Sequence, residues 1–205
     1  VMEAEMIELG RNQLVQAAVV QINLAGVESA TIAKVCTGAG LDEADFTDFF
    51  ADRRGLLLHI GASLAHMEDA AVRATLSRRR SLTETVRLAL LALWATVEEH
   101  PELQQAAHEL TFSGMRHGEP ISVAQAQHEA YCACVQQILE AIAQSHGIKW
   151  ERPVTELTHL VVSTVDGLKL GYLVSKDSTA ARQVLELFAY HVAQHGRRTA
   201  KNDPK

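Results

Sequence analysis

Apolar residues return every three or four positions between Glu8 and Ala25, where Leu14, Ala17, Ala18, Ile22 and Ala25 fall on one side of a helix that Gly26 stops. Ser29, Ala30 and Thr31 then supply capping chemistry for a short second helix, Thr31 to Thr37, with Ile32 and Val35 inward and Gly38-Ala39-Gly40 as its break. Leu41 closes the turn, and Asp42 caps a third short helix reaching Phe50. Asp52 caps a long fourth helix running to about Leu76.

Beyond Arg78-Arg79-Arg80 and the cap Ser81 the amphipathic segments lengthen. Leu82 to Glu99 reads as one helix, and Pro101 suits the first position of the next, which reaches about His117. Gly118-Glu119-Pro120 breaks the chain, Ile121 to His146 continues it, and Gly147 ends that helix. Pro153 opens a helix to about Val174, and Asp177 or Ser178 starts a last one ending at Gly196. The pattern predicts an all-α protein of four helices followed by five. The expected organisation is a helical head over 1–55 with a linking helix to about 76, a second helical domain over 77–196, and a flexible polar tail over 197–205.

Composition fits this picture without narrowing it, since 47% of the 205 residues are hydrophobic and 21% are charged. No apolar run is long enough to span a bilayer, and the first residues lack the basic-then-apolar pattern of a secretion signal, so the expectation is a cytoplasmic protein. Cys36, Cys132 and Cys134 have no metal-finger spacing and read as small apolar residues in a reducing compartment. Charge is more informative. The net charge of −6 is carried entirely by residues 1–75, which hold five basic and eleven acidic residues, while the rest balances.

Two short helices joined by a glycine-containing turn are the layout of a helix-turn-helix, whose second helix enters a DNA major groove. Thr31 to Phe50 has that layout, with Ala33 and Leu41 placed to let the helices cross closely. The stretch Arg11 to Leu58 also resembles, without a gap, the DNA-binding domain of the TetR family of bacterial transcriptional regulators. The resemblance is carried by Leu14-Val15-Gln16-Ala17-Ala18, Ala25-Gly26-Val27, Ile32-Ala33-Lys34-Val35, Ala39-Gly40-Leu41, Phe50-Ala51-Asp52-Arg53 and Leu56-Leu57-Leu58. His100-Pro101-Glu102-Leu103 and Asp166-Gly167-Leu168 are similar to pieces of the family's ligand-binding domain. The resemblance implies a homodimeric, ligand-responsive regulator that binds operator DNA and is not an enzyme.

The third helix departs from the family pattern. It reads Asp42-Glu43-Ala44-Asp45-Phe46-Thr47-Asp48-Phe49-Phe50, and positions where the family has backbone-holding tyrosine or histidine carry Thr47, Asp48 and Phe49. DNA affinity comes largely from phosphate neutralisation, so these carboxylates oppose it. They also occupy the helix N-terminus, where amides would otherwise attract a phosphate. Helix capping accounts for one or two of them but not for Asp48. Two readings follow for Thr31, Asp42, Glu43, Asp45, Phe46, Thr47, Asp48, Phe49, Arg53 and Arg54. Either they meet DNA, with Arg11, Thr31, Thr47, Arg53 and Arg54 on the backbone, or the acidic face with Phe46 and Phe49 binds a basic protein partner.

In the second domain the resemblance implies a pocket within about Leu82 to Gly147. Trp94, Leu110, Phe112, Met115 and Tyr131 are the bulky candidates to wall it around a small apolar ligand, with plain core as the competing role. His108, Cys134 and Asp166 are candidates for a polar group of that ligand. Val161, Val165, Leu168, Tyr172, Leu185, Phe188, Ala189 and Val192 form apolar faces on the last two helices broad enough for both an internal core and a second subunit, with which a four-helix contact is expected. His191 and His195 have the one-turn spacing of a helical metal pair but no third ligand nearby, so the expectation is no metal and no cofactor. No nucleophile motif or phosphate loop points to catalysis.

Overall fold

The computed structural model describes residues 2–77, 79–117 and 123–198. Its helices are α1 (Met2–Ala25), α2 (Ile32–Ala39), α3 (Phe46–Phe49), α4 (Arg53–Thr75), α5 (Leu82–Glu99), α6 (Pro101–His117), α7 (Val123–His146), α8 (Val154–Ser175) and α9 (Ser178–Gln194). A two-stranded antiparallel ribbon pairs β1 (Ile148–Trp150) with β2 (Gly196–Arg198). The break expected at Gly118-Glu119-Pro120, the start at Ile121 and the tail from residue 199 lie outside the described residues.

The helix boundaries follow local chemistry. Gly26 ends α1 with φ 81°, and Gly40 ends α2 with φ 71°, backbone conformations that a side chain would strain. Thr31 accepts from the Lys34 amide at 3.4 Å, and Asp52 accepts from the Gly55 amide at 2.7 Å, each satisfying an otherwise unpaired helix donor. Asp42, expected to cap the third helix, makes no such side-chain bond. That segment is instead a 3-10 turn over Glu43–Asp45 followed by the single α-turn of α3.

The chain packs as two compact units, one drawn from 1–64 and 100–130, the other from 65–99 and 131–205. In the first, α1 packs on α2 and α6, and Leu14, Ala18, Ile22, Val35, Phe46, Leu56, Ile60 and Leu110 close one apolar core. Helix α6 thus packs with the head, although it lies beyond residue 76 in the chain. In the second, α5 lies along α9, with α8 beside it, and Trp94, Val97, Ile142, Leu157, Val165, Leu185 and Val192 form a separate core. The ribbon was not legible as a pattern. It places Arg197 and Arg198, expected in the flexible tail, opposite Lys149 and Ile148.

Candidate functional site

The head presents α2, the Gly40 turn and the 43–49 segment in helix-turn-helix order. The turn is tied by the Leu41 amide, which donates to the Cys36 carbonyl at 3.0 Å. Gly38 gives α2 its close approach to α1, where an added Cβ would stand 3.2 Å from the Ala17 Cβ, whereas Ala33, expected where the two helices of the motif cross, faces out. Asp42, Glu43, Asp45, Thr47 and Asp48 are exposed, as are Thr31 and Lys34. Phe46 is not. Its side chain is 2% exposed and packs 6.0 Å from the Phe50 ring, so it serves the core and not a contact surface. Phe49 is half-buried. A helix this short has one face to seat its anchors, and the alternation Phe46, Phe49, Phe50 uses it.

Two cations expected on the phosphate backbone are engaged within the head. Arg53 donates through Nε to the Ala30 carbonyl at 2.7 Å and through its other end to the Val27 carbonyl, with Glu28 at 3.9 Å. Arg11 donates from Nε to the Phe49 carbonyl at 3.2 Å. Both guanidiniums therefore hold the loops around the turn, a role hidden from sequence because it depends on carbonyls far along the chain. Arg54 is exposed.

The residues expected to line one ligand pocket divide between the two units. Leu110 is 2% exposed in the head core, while Phe112 and Met115 are 43% and 73% exposed. His108 bonds through Nδ1 to the Gln104 carbonyl one turn back at 2.9 Å, and its ring lies 6.4 Å from Phe112. These four belong to the first unit, and Trp94 and Tyr131 to the second. In the second unit Trp94 is fully buried, donates to the Ser178 hydroxyl at 3.0 Å and meets the Tyr172 ring edge-on at 5.5 Å. Nearby lies an apolar void of about 40 Å³, walled by Val72, Leu90, Val135, Leu139, Val161 and Val192 among others.

A polar cluster missed from sequence sits in the same unit. Lys169 donates to both Glu68 oxygens, at 2.8 and 3.0 Å, and to the Tyr131 hydroxyl at 3.3 Å. The two charged side chains are 4% and 2% exposed. Tyr131 keeps part of its surface in solvent, but its hydroxyl lies among these buried groups. Burial first, then the charges of Glu68 and Asp166, push the phenol well above its ordinary range. Cys134 donates to Asp69 at 3.5 Å, and burial reinforced by that carboxylate pushes its thiol up to about 12, so it stays protonated. Asp69 also pairs with Arg73 at 2.7 Å. The available signal was a charged residue in helical register with core valines: Glu68 with Val72, Lys169 with Val165.

The expected subunit face is corrected in part. Val161, Val165, Leu185, Ala189 and Val192 are buried in the unit's own core, with Leu168, Tyr172 and Phe188 packed against it. The apolar side chains that α8 and α9 leave exposed are Leu160, Leu170, Val174, Val184, Leu187 and Tyr190. A two-sided apolar helix does not declare in its sequence which stripe faces inward. His191 and His195 stack edge-on at 5.2 Å, and among the described residues no three His, Cys, Asp or Glu side chains converge. No described helix is long and apolar enough to cross a membrane.

No protein-family model matches the sequence. Solved structures do match the fold. A protein from Syntrophomonas wolfei str. Goettingen assigned to the TetR-family transcriptional regulators superposes with TM-score 0.75 at 11% identity, over 94% of this chain and 98% of that one. A TetR-family transcription regulator from Marinobacter aquaeolei VT8 matches at TM-score 0.65 and 20% identity, over 93% and 96%. The regulator FadR from Bacillus subtilis, in complex with stearoyl-CoA, matches at TM-score 0.62 and 16% identity, over 89% and 95%. A helix-turn-helix head, a separate helical unit and likeness over nearly the whole length of these regulators together give this chain the fold of the TetR-family transcription regulators.

Proposed function

We propose that this chain is a ligand-responsive transcriptional regulator, not an enzyme, acting in the cytoplasm as a homodimer. The observation that carries the reading is the capped helix-turn-helix of the head within a chain that has this fold end to end. The exposed apolar stripe on α8 and α9 supports pairing with a second copy, which would place two heads on successive major grooves. The second unit, 65–99 with 131–205, is the proposed ligand-binding and dimerisation part. Trp94, Tyr131, Cys134 and Asp166 remain its candidate ligand residues, and the stearoyl-CoA complex of a similar fold supports an apolar ligand class. Thr31, Thr47 and Arg54 are the proposed backbone contacts on DNA.

A second reading is favoured by one observation: Arg11 and Arg53 are engaged within the head while five acidic or hydroxyl side chains from Asp42 to Asp48 face outward. On that reading the acidic surface binds a basic protein and operator binding is lost or altered.

Capture of genomic fragments by the full chain at low and moderate salt separates the two, with Asp45→Thr and Asp48→Tyr measured alongside. A specific palindromic site whose affinity falls steeply with salt supports the regulator reading. No site for the unaltered protein, with DNA affinity gained by the variants, supports the second.

A further inference from the structure

Three helices of the second unit turn polar at the same level. Glu68 lies one turn from Val72 on α4, Tyr131 one turn from Val135 on α7, and Lys169 two turns from Val161 on α8, where Val72, Val135 and Val161 all wall the apolar void. The buried Glu68–Lys169 pair therefore stands at one end of that void. A buried pair is weak evidence for stability, because well-packed apolar residues at such positions often serve as well. Its placement calls for another role.

We infer that this cluster is the polar end of a binding site for a lipophilic ammonium cation, with Lys169 holding the cation position until such a ligand displaces it. The inference rests on the reading of the second unit as the ligand-binding part. The cation position is already built: a carboxylate accepts two bonds from Lys169, and the Tyr131 ring lies 4.6 Å from Nζ, a cation–π distance. Local charge selects the sign of the ligand. Glu68, Asp69 and Asp166 set three carboxylates against Lys169 and Arg73. An anion taken up by Lys169 would leave Glu68 buried without its counter-charge. An entering ammonium keeps Glu68 opposite a cation, and Asp166, three residues before Lys169 on the same helix, is a carboxylate within reach of the displaced side chain. The apolar part of the ligand packs between the hydrocarbon walls of the void, which parts beyond its roughly 40 Å³ to admit it.

Calorimetric titration of the full chain at neutral pH with n-octylammonium and with n-octanoate, which share a chain length and differ in the sign of the head, tests this. The expected result is ammonium binding at least about tenfold tighter than the carboxylate. In Glu68→Met/Lys169→Met, which replaces the pair by apolar side chains and is expected to fold, the preference collapses to about twofold or less. Tighter binding of octanoate, no binding of either probe, or a preference that survives the double substitution overturns the inference. Operator capture reads the regulator function independently: a recovered operator with no ammonium preference sinks only this inference, and ammonium preference without any operator sinks only the regulator reading.

Discussion

The ring of Phe49 lies against the backbone of Gly10, so closely that a Cβ on Gly10 would stand 2.3 Å from Phe49 Cε1. Helix α1 accommodates a glycine here, despite its lower helix propensity, because the reading segment is seated through that contact. Gly10→Ala gains about 1 kcal/mol of helix propensity but forces the ring out, and the expected net effect is a loss of about 1–2 kcal/mol in urea unfolding. Phe49→Ala in the same chain should remove the clash, so that the double variant is less destabilised than the sum of the two. Strict additivity in that cycle would show that the contact does not govern the position of α3.

The parts of the head visible in sequence are those fixed by neighbours in the chain. Gly26, Thr31, Gly40 and Asp52 act within four residues of themselves, and each is found where the pattern put it. The role of Phe46 is hidden because a four-residue helix is too short for periodicity to show its inward face, and that of Arg53 because its partner Ala30 lies twenty-three residues away. For the same reason periodicity marks α6 as amphipathic without revealing that its apolar face meets α1. Three-residue strands such as β1 and β2 carry too little alternation to be read at all.

Arg53→Ala should destabilise the head by about 1–3 kcal/mol, since it removes the donor to the Val27 and Ala30 carbonyls. Arg53→Lys is expected to recover little, because an ammonium cannot reproduce the guanidinium fork. Thermal unfolding checks this. Unchanged stability combined with lost DNA affinity would mean that Arg53 is a phosphate contact after all.

Glu98 on α5 accepts from Arg182 and Ser178 at the start of α9. The Arg182 bond, aided by the Ser178 hydroxyl and opposed by burial, holds the Glu98 carboxyl below its ordinary range. A depressed carboxyl contributes stability above its unfolded-state pKa, about 4.3, and that contribution fades as pH falls through the lowered folded value. Glu98→Gln should therefore cost about 1 kcal/mol at pH 7, the pair being partly exposed, with the gap to the unaltered protein closing below about pH 4. A gap independent of pH in urea titrations would rule out the ion pair as its source.

On α9 the exposed Leu187 and the buried Leu185 are two residues apart and should behave oppositely. Leu187→Glu is expected to shift sedimentation from dimer to monomer while leaving the fold intact. Leu185→Ala should lower the melting temperature, by about 2–5 kcal/mol of lost stability, and still sediment as the unaltered chain does at temperatures where it is folded. Dimers persisting in Leu187→Glu would place the subunit interface elsewhere.

Because α5 lies along α9, the second unit's core joins segments almost a hundred residues apart. During synthesis the part of α5 that meets α9 stays uncovered until residue 194 has left the ribosome, and β1 waits longer still for Arg198. The head can close once residue 130 is made. The two units thus close at different times, and the interval between them is when this chain is most exposed to aggregation and to proteases, so slowed translation after α7 should lower its soluble yield more than slowed translation before α4.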